Sequence, residues 1–213
     1  MSAKLGTLAG RPKSQKKRMQ ILESGAEMFL SHGYERTSMD AVAKHSGVSK
    51  QTVYSHFKSK DTLYSAVIES KCVSYQIEES SLCSQDKPLQ EILEGFAIKF
   101  IQLLTDEHVI SMHNVVIGEA QQNPQIAELF YDAGPVHSIE LIQQLLQNHP
   151  SSLMERNEAQ ETAVDFFNLL KGNYHMRSLL HLPYELSQVD IQKLAQRTAN
   201  TVMLIVSGQQ SKV

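Results

Sequence analysis

The sequence predicts an all-α protein, with a short three-helix unit at the N-terminus, a larger helical bundle behind it and about nine helices in total. Three observations predict it. Leu, Ile, Met, Ala, Gln, Glu and Lys are plentiful, whereas only 10 Gly and 6 Pro occur in 213 residues, a balance that favours helix. Apolar residues recur at helical spacing, and no run alternates as a strand does. Charge is divided between the two parts. Residues 1–71 carry 12 Lys and Arg against 6 Asp and Glu, a net of +6, and residues 72–213 carry 8 against 17, a net of −9. A basic head on an acidic body points to two tasks, the first of them toward a polyanion.

Each element has a local reason. Leu22, Gly25, Ala26, Phe29, Leu30 and Gly33 form the stripe of a first helix that stops at His32-Gly33. Ser38 caps a short second helix carrying Ala41, Val42 and Ala43, and Ser46-Gly47 ends it. Ser49 caps a third helix, from Lys50 to about Phe57. Ser59 caps a fourth, expected to reach roughly Ser80, with Asp61 in its first turn facing the helix dipole. Residues 81–88 read as a break, after which Pro88 opens a helix to about Thr105. A further helix covers about Glu107–Gln121. Asn123-Pro124 begins another, kinked near Gly134-Pro135 and resuming to Gln147. The last two run from Glu158 to Leu180 and from a Ser187 cap to about Ser207. The domain reading is a mobile basic arm over 1–14, a short helical unit over 15–60, a connecting helix over 61–80, and a larger helical domain over 81–213.

The segment from Ser38 to Phe57 has the requirements of a helix-turn-helix. Ala43 is small where two helices cross, Gly47 tolerates positive φ in the turn, and Val42, Val48, Val53 and Phe57 supply the inner faces. In such a motif the second helix enters the major groove. Its polar side chains here are Ser49, Lys50, Gln51, Thr52, Ser55 and His56. Gln51 can pair bidentately with adenine, Lys50 can donate to guanine, and Thr52 can touch a thymine methyl. Tyr54, His56 and Lys60 can reach phosphate oxygens, and Arg11, Lys13, Lys16, Lys17 and Arg18 can follow the backbone.

The run from Ile21 to Leu63 resembles the TetR family of bacterial regulators. The resemblance is carried by Tyr34, Thr37, Ala41-Val42-Ala43, Gly47-Val48-Ser49, Thr52-Val53-Tyr54, His56-Phe57 and Lys60. It implies a cytoplasmic homodimer on palindromic double-stranded operator DNA, nucleoid-associated when bound, with a helical C-terminal domain that senses a small apolar or amphipathic molecule. It also implies that Thr37 touches phosphate, that Lys50, Gln51 and Thr52 face bases, and that Tyr54, His56 and Lys60 hold the backbone. Ser55 stands where the family often has an aromatic. The runs from Val116 to Phe130 and from Ala163 to Leu180 look like the subclass that includes drug-efflux regulators, which commonly has Arg where His113 and Gln122 stand.

Family members dimerise through their last two long helices. The matching dimer-interface residues are Ala159, Ala163, Phe166, Ala195, Thr198, Ala199 and Val202, although the same stripes also suit a face turned to the chain's own core. Ligand candidates are Phe96, Phe100, Met112, His113, Val116, Phe130, Phe167, Leu170 and Tyr174, and an aromatic stripe at helical spacing equally suits a core. No metal site or cofactor is expected, because His113, His137, His175 and His181 are scattered without an i, i+4 pair. Cys72 and Cys83 are read as free structural thiols in a reducing compartment. No export signal and no apolar run of the ~18 residues that span a membrane is read. No nucleophile elbow, phosphate loop or HExxH suggests an enzyme. The expectation is a repressor released from its operator by ligand. The alternative is a chromosome-organising or protein-interaction factor on the same fold.

Overall fold

The computed structural model describes residues 11–82 and 87–210. They form α1 (Arg11–His32), α2 (Met39–Ser46), α3 (Lys50–His56), α4 (Lys60–Ser74), α5 (Leu89–Leu104), α6 (Glu107–Glu119), α7 (Pro124–Tyr131), α8 (His137–Asn148), α9 (Arg156–Leu179) and α10 (Gln188–Gln210). A π-helical turn, Asp132–Val136, joins α7 to α8 and contains Pro135, so these two segments form one interrupted rod. No strand occurs among the described residues. Two compact units divide between Ser70 and Lys71, inside α4. Helix α1 begins at Arg11, so residues 11–14 are helical rather than part of an arm, while residues 1–10 and Cys83 lie outside the described residues.

In the first unit, Phe29, Tyr34 and Tyr64 form a ring cluster. Tyr64 meets Phe29 edge-on at 5.0 Å and Tyr34 at 5.2 Å. Ile21, Val42, Val53 and Leu63 are fully buried around it. The Tyr34 hydroxyl donates to the Asp61 carboxylate at the start of α4. Burial first, and then that bond, raise the Tyr34 hydroxyl above its ordinary range. Exposed ion pairs would add little here; packing of these rings carries the unit.

In the second unit the main apolar cluster draws on α5, α8, α9 and α10. Phe100 packs on Phe167 at 4.6 Å, and Phe166 on Phe167 at 5.3 Å, with Leu170, Ala195, Ala199 and Val202 buried around them. The buried residues of α6 and α7, among them Met112, Val116 and Ile126, are not members of that cluster. Helices α6 and α7 therefore form a second layer, and α6 touches α5, α7 and α9.

Two elements depart from the expected bounds. Helix α4 ends at Ser74 rather than near Ser80. The Gln76 N–H donates to the Val73 carbonyl at 2.8 Å and the Ile77 N–H to that of Cys72 at 3.0 Å, with Gln76 at φ 58°. This is the bonding of a Schellman stop, with Gln in the place that usually holds Gly. Helix α9 breaks at Gly172, whose φ of 51° and ψ of −168° only glycine adopts readily. A Cβ there would sit 3.4 Å from the Tyr174 ring.

Asp106 ties the second unit together. Its side chain caps α6 by accepting from the His108 N–H at 2.9 Å and the Val109 N–H at 3.2 Å. Its other oxygen accepts from Lys71 Nζ at 2.8 Å and from the Tyr75 hydroxyl at 2.7 Å. Burial alone pushes the Asp106 carboxyl up, but the bonds from Lys71, Tyr75 and the Val109 N–H outweigh it and hold the group below the ordinary carboxylate range. Removing the cap and the charge partner together leaves several donors unmet. Asp106→Ala is expected to cost about 2–3 kcal/mol, measured by urea unfolding followed by circular dichroism.

Candidate nucleic-acid interface and ligand cluster

The reading head is assembled by short local bonds. Ser38 Oγ accepts from the Ala41 N–H at 3.1 Å, and Ser49 Oγ from the Thr52 N–H at 3.2 Å, so both helices of the motif carry their expected caps. Gly47 takes φ 69°. The Val48 N–H donates to the Ala43 carbonyl at 3.2 Å, closing the turn over buried Ala43. Val53 and Phe57 anchor α3 in the core, and the Arg18 guanidinium lies 5.2 Å from the Phe57 ring.

This anchoring turns Lys50, Gln51, Tyr54 and Ser55 outward, with Thr52 and His56 half-buried. Tyr54 is 48% exposed. Lys50 Nζ pairs with Asp40 Oδ2 at 2.5 Å, an exposed pair that a nucleic acid can displace at small cost. Ser49 Oγ also lies 2.8 Å from Thr52 Oγ1, and Ser55 Oγ donates to the Thr52 carbonyl at 2.7 Å. Gln51 is exposed, and among the described residues its amide makes no hydrogen bond.

Two expected backbone contacts have other duties. Thr37 is 1% exposed, and its hydroxyl donates to the Gly33 carbonyl at 2.7 Å and the Met28 carbonyl at 3.1 Å. It ties the start of α2 back to the last turn of α1 and the residue after it, and its side chain is buried. Lys60 Nζ donates to the Tyr34 carbonyl at 2.9 Å and lies 4.1 Å from the Tyr34 ring centre. Its ammonium first braces the turn after α1.

The ligand candidates separate into two groups. Phe96, Phe100, Phe167, Leu170 and Tyr174 belong to the main apolar cluster. His113 and Phe130 meet elsewhere, in the α6–α7 layer, edge-on at 4.9 Å, with Met112 and Val116 buried on α6. His175, which the sequence places among scattered histidines and outside the ligand candidates, brings its ring 5.7 Å from that of His113. Burial pushes His113 down against the opposing pull of its Val109 carbonyl bond, with a smaller downward push from the Lys171 charge; burial, His113 and Lys171 push His175 down to about 4. On another side of α9, beside the Gly172 break, Arg177, Tyr184, Lys193 and Arg197 line a cleft of about 740 Å³. Of the expected ligand residues only Tyr174 borders it.

The seven expected dimer residues, Ala159, Ala163, Phe166, Ala195, Thr198, Ala199 and Val202, are each 1% exposed or less within the single chain. They are core, and no surface of theirs remains for a partner. The apolar side chains that α9 and α10 leave exposed are others, among them Val164, Leu169 and Leu204.

A capped helix-turn-helix with outward polar side chains, followed by a helical unit with its own core, defines a DNA-binding protein of two-unit build. Residues 21–67 match the family model described as bacterial regulatory proteins, tetR family, and residues 91–205 match that of the AefR-like transcriptional repressor C-terminal domain. The chain belongs to the TetR family of transcriptional regulators. It is 31% identical over 119 residues to the HTH-type transcriptional regulator UidR of Escherichia coli K12, a match covering 54% of this chain and 58% of UidR. The chain thus spans little more than half the length of that relative. Among solved structures, a TetR-family regulator from Mesorhizobium loti MAFF303099 superposes with a TM-score of 0.70 at 23% identity, covering 92% of this chain and 98% of that one. The flavonoid-responsive regulator FrrA superposes with a TM-score of 0.63 at 25% identity, covering 89% and 96%.

The turn generates a sharp expectation. A Cβ at Gly47 would meet nothing within 4 Å, so only its backbone conformation resists a side chain. Gly47→Ala is expected to destabilise by about 1–2 kcal/mol, and Gly47→Asn by clearly less, since Asn tolerates the left-handed region. Thermal melts of the two variants check this; equal losses would mean that the cost is steric.

Proposed function

We propose that the chain is a repressor that binds a palindromic operator as a homodimer and leaves it when a small apolar or amphipathic molecule enters the second unit. The observation that carries the DNA reading is α3: a Gln51 amide unengaged and Lys50 held by an exposed pair among the described residues, and Tyr54 facing outward, all on a helix with its N-cap in place. FrrA's description as flavonoid-responsive supports a small-molecule effector for a chain of this build. The covalent route between units is α4, which crosses the unit boundary and ends on Asp106 through Lys71. A ligand that shifts α6 acts on α4 through that carboxylate. Two recognition helices must stand about 34–36 Å apart to enter successive major grooves, so a displacement of α4 lowers operator affinity. The ligand does so only as far as it binds the released state more tightly than the bound one.

The partner face is assigned to the exposed sides of α9 and α10, around Val164 (37% exposed) and Leu204 (74% exposed). Along α10 the spacing of Arg197, Thr201, Leu204 and Gly208 puts them on one stripe.

Two outcomes are expected on an operator selected from random duplexes with the purified chain. Gln51→Ala relaxes preference at one base pair in each half-site, costing about 1–3 kcal/mol there, while discrimination elsewhere is kept. Unchanged selection by this variant would remove α3 from base reading. Leu204→Glu yields a monomer by light scattering and weakens operator binding at least about tenfold, because the second half-site no longer binds intramolecularly. A Leu204→Glu chain that stays dimeric would move the interface to another face.

A further inference from the structure

The α6–α7 layer meets α9 at three aromatic rings. His113 sits between Phe130 at 4.9 Å and His175 at 5.7 Å, edge-on to both. His113 Nδ1 lies 2.8 Å from the Val109 carbonyl oxygen. A carbonyl only accepts, so that nitrogen carries the proton. In the neutral ring Nε2 is then a bare acceptor. His175 Nδ1 is buried and has no hydrogen-bond partner among the described residues. A buried polar atom left unmet costs about 1–3 kcal/mol, and such an atom in a native fold calls for an explanation. A purely structural imidazole would carry a partner, as His149 does with the Lys87 carbonyl and the Ser151 N–H. The π-helical turn Asp132–Val136 begins two residues after Phe130, and such turns are frequent at functional sites.

The pair therefore offers a fixed acceptor and a second ring still able to donate or accept, beside an aromatic wall. Burial and the Lys171 charge both disfavour an imidazolium. A carboxylate brings no proton for His113 Nε2; a neutral hydroxyl does. We infer that His113, His175 and Phe130 form the effector-recognition centre, and that the effector is a neutral aromatic hydroxy compound, a phenol. Its O–H donates to His113 Nε2, its oxygen accepts from His175, and its ring packs against Phe130. No bond is made or broken. The inference rests on the reading of the chain as a ligand-released repressor and names the ligand class for it.

The test uses three matched probes on the full chain: 4-hydroxybiphenyl, 4-methoxybiphenyl and biphenyl-4-carboxylate. Binding is read by calorimetry without DNA. The phenol is expected to bind at least tenfold tighter than its methyl ether and than the carboxylate. His113→Phe abolishes that preference, and His113→Gln, which keeps an acceptor, recovers part of it. Chemical shifts of ¹⁵N-labelled imidazoles separate a direct contact from a change in packing. The phenol should move the His113 Nε2 resonance in the manner of an accepted hydrogen bond, while the ether leaves it in place. Equal binding of phenol and ether, tightest binding of the carboxylate, or a folded His113→Phe chain that keeps the preference overturns the inference. A chain that binds its selected operator but no phenol loses the site and keeps the repressor reading. A chain that binds the phenol with unchanged operator affinity keeps the site and loses the release mechanism.

Discussion

The half-buried carboxylate of Asp106 is the constraint on which the second unit turns. A charge in that position is tolerable only because four donors converge on it: two backbone N–H groups of α6, Lys71 Nζ and the Tyr75 hydroxyl. The arrangement is reciprocal. Tyr75 is pushed up to about 12, by burial and then by the hydrogen bond to Asp106, so it stays a donor across the physiological range. The first turn of α6 and the last turn of α4 thus share one anion. Neither can move far without leaving the charge under-solvated, which makes this contact stiff in a way that apolar sliding is not.

What α6 carries is decided by a second constraint, the way the core is divided. The Phe96, Phe100, Phe166 and Phe167 rings pack with Leu170 and the small residues of α10 into a continuous interior. Interiors packed in this way resist insertion. The α6–α7 layer contributes no buried residue to that interior. It meets α9 instead at a seam of two imidazoles, His113 of α6 and His175 of α9, with the Phe130 ring and a π-helical turn beside them. Among the described residues the seam also holds a buried polar atom without a hydrogen-bond partner, His175 Nδ1. A layer that bears the proposed ligand contacts and is also tied to α4 through Asp106 would join sensing to the helix that crosses the unit boundary.

The sequence was legible where the physics is local. Ser38, Gly47, Ser49, Ser59 and Ser187 act over three or four residues, and each cap or turn forms as the residue types dictate. The kink near Gly134-Pro135 was readable for the same reason, since proline removes a donor wherever it stands. Legibility failed where a side chain's duty depends on a distant element. Thr37 and Lys60 suit phosphate contacts by residue type, and the fold also gives each a carbonyl of the turn after α1, which their sequence positions do not announce. The small residues of α9 and α10 suit a partner helix and their own core equally well, and only the packing assigns them to the core. Gln76 stops α4 in a conformation that composition gives no reason to expect. His113 and His175 share no sequence spacing, and only the meeting of α6 with α9 brings their rings together.

The local build of the head bears on how control can reach DNA. Its caps, its turn and the Asp40–Lys50 pair all lie between Ser38 and Thr52, with Val53 and Phe57 sealing α3 below. None of these bonds involves a residue of the second unit. A signal of the proposed kind from α6 therefore has no need to dissolve the reading helix, whose own bonds are all local. Under the proposed release it acts on where the intact helix is presented. That demand is modest in energy, since about 1.4 kcal/mol changes an equilibrium tenfold, and a dimer feels any change in spacing at both half-sites. In the release mechanism proposed above, a head held by local bonds and a carboxylate joint of four donors let one ligand, by biasing a single layer, alter the spacing of two heads while leaving their specificity intact.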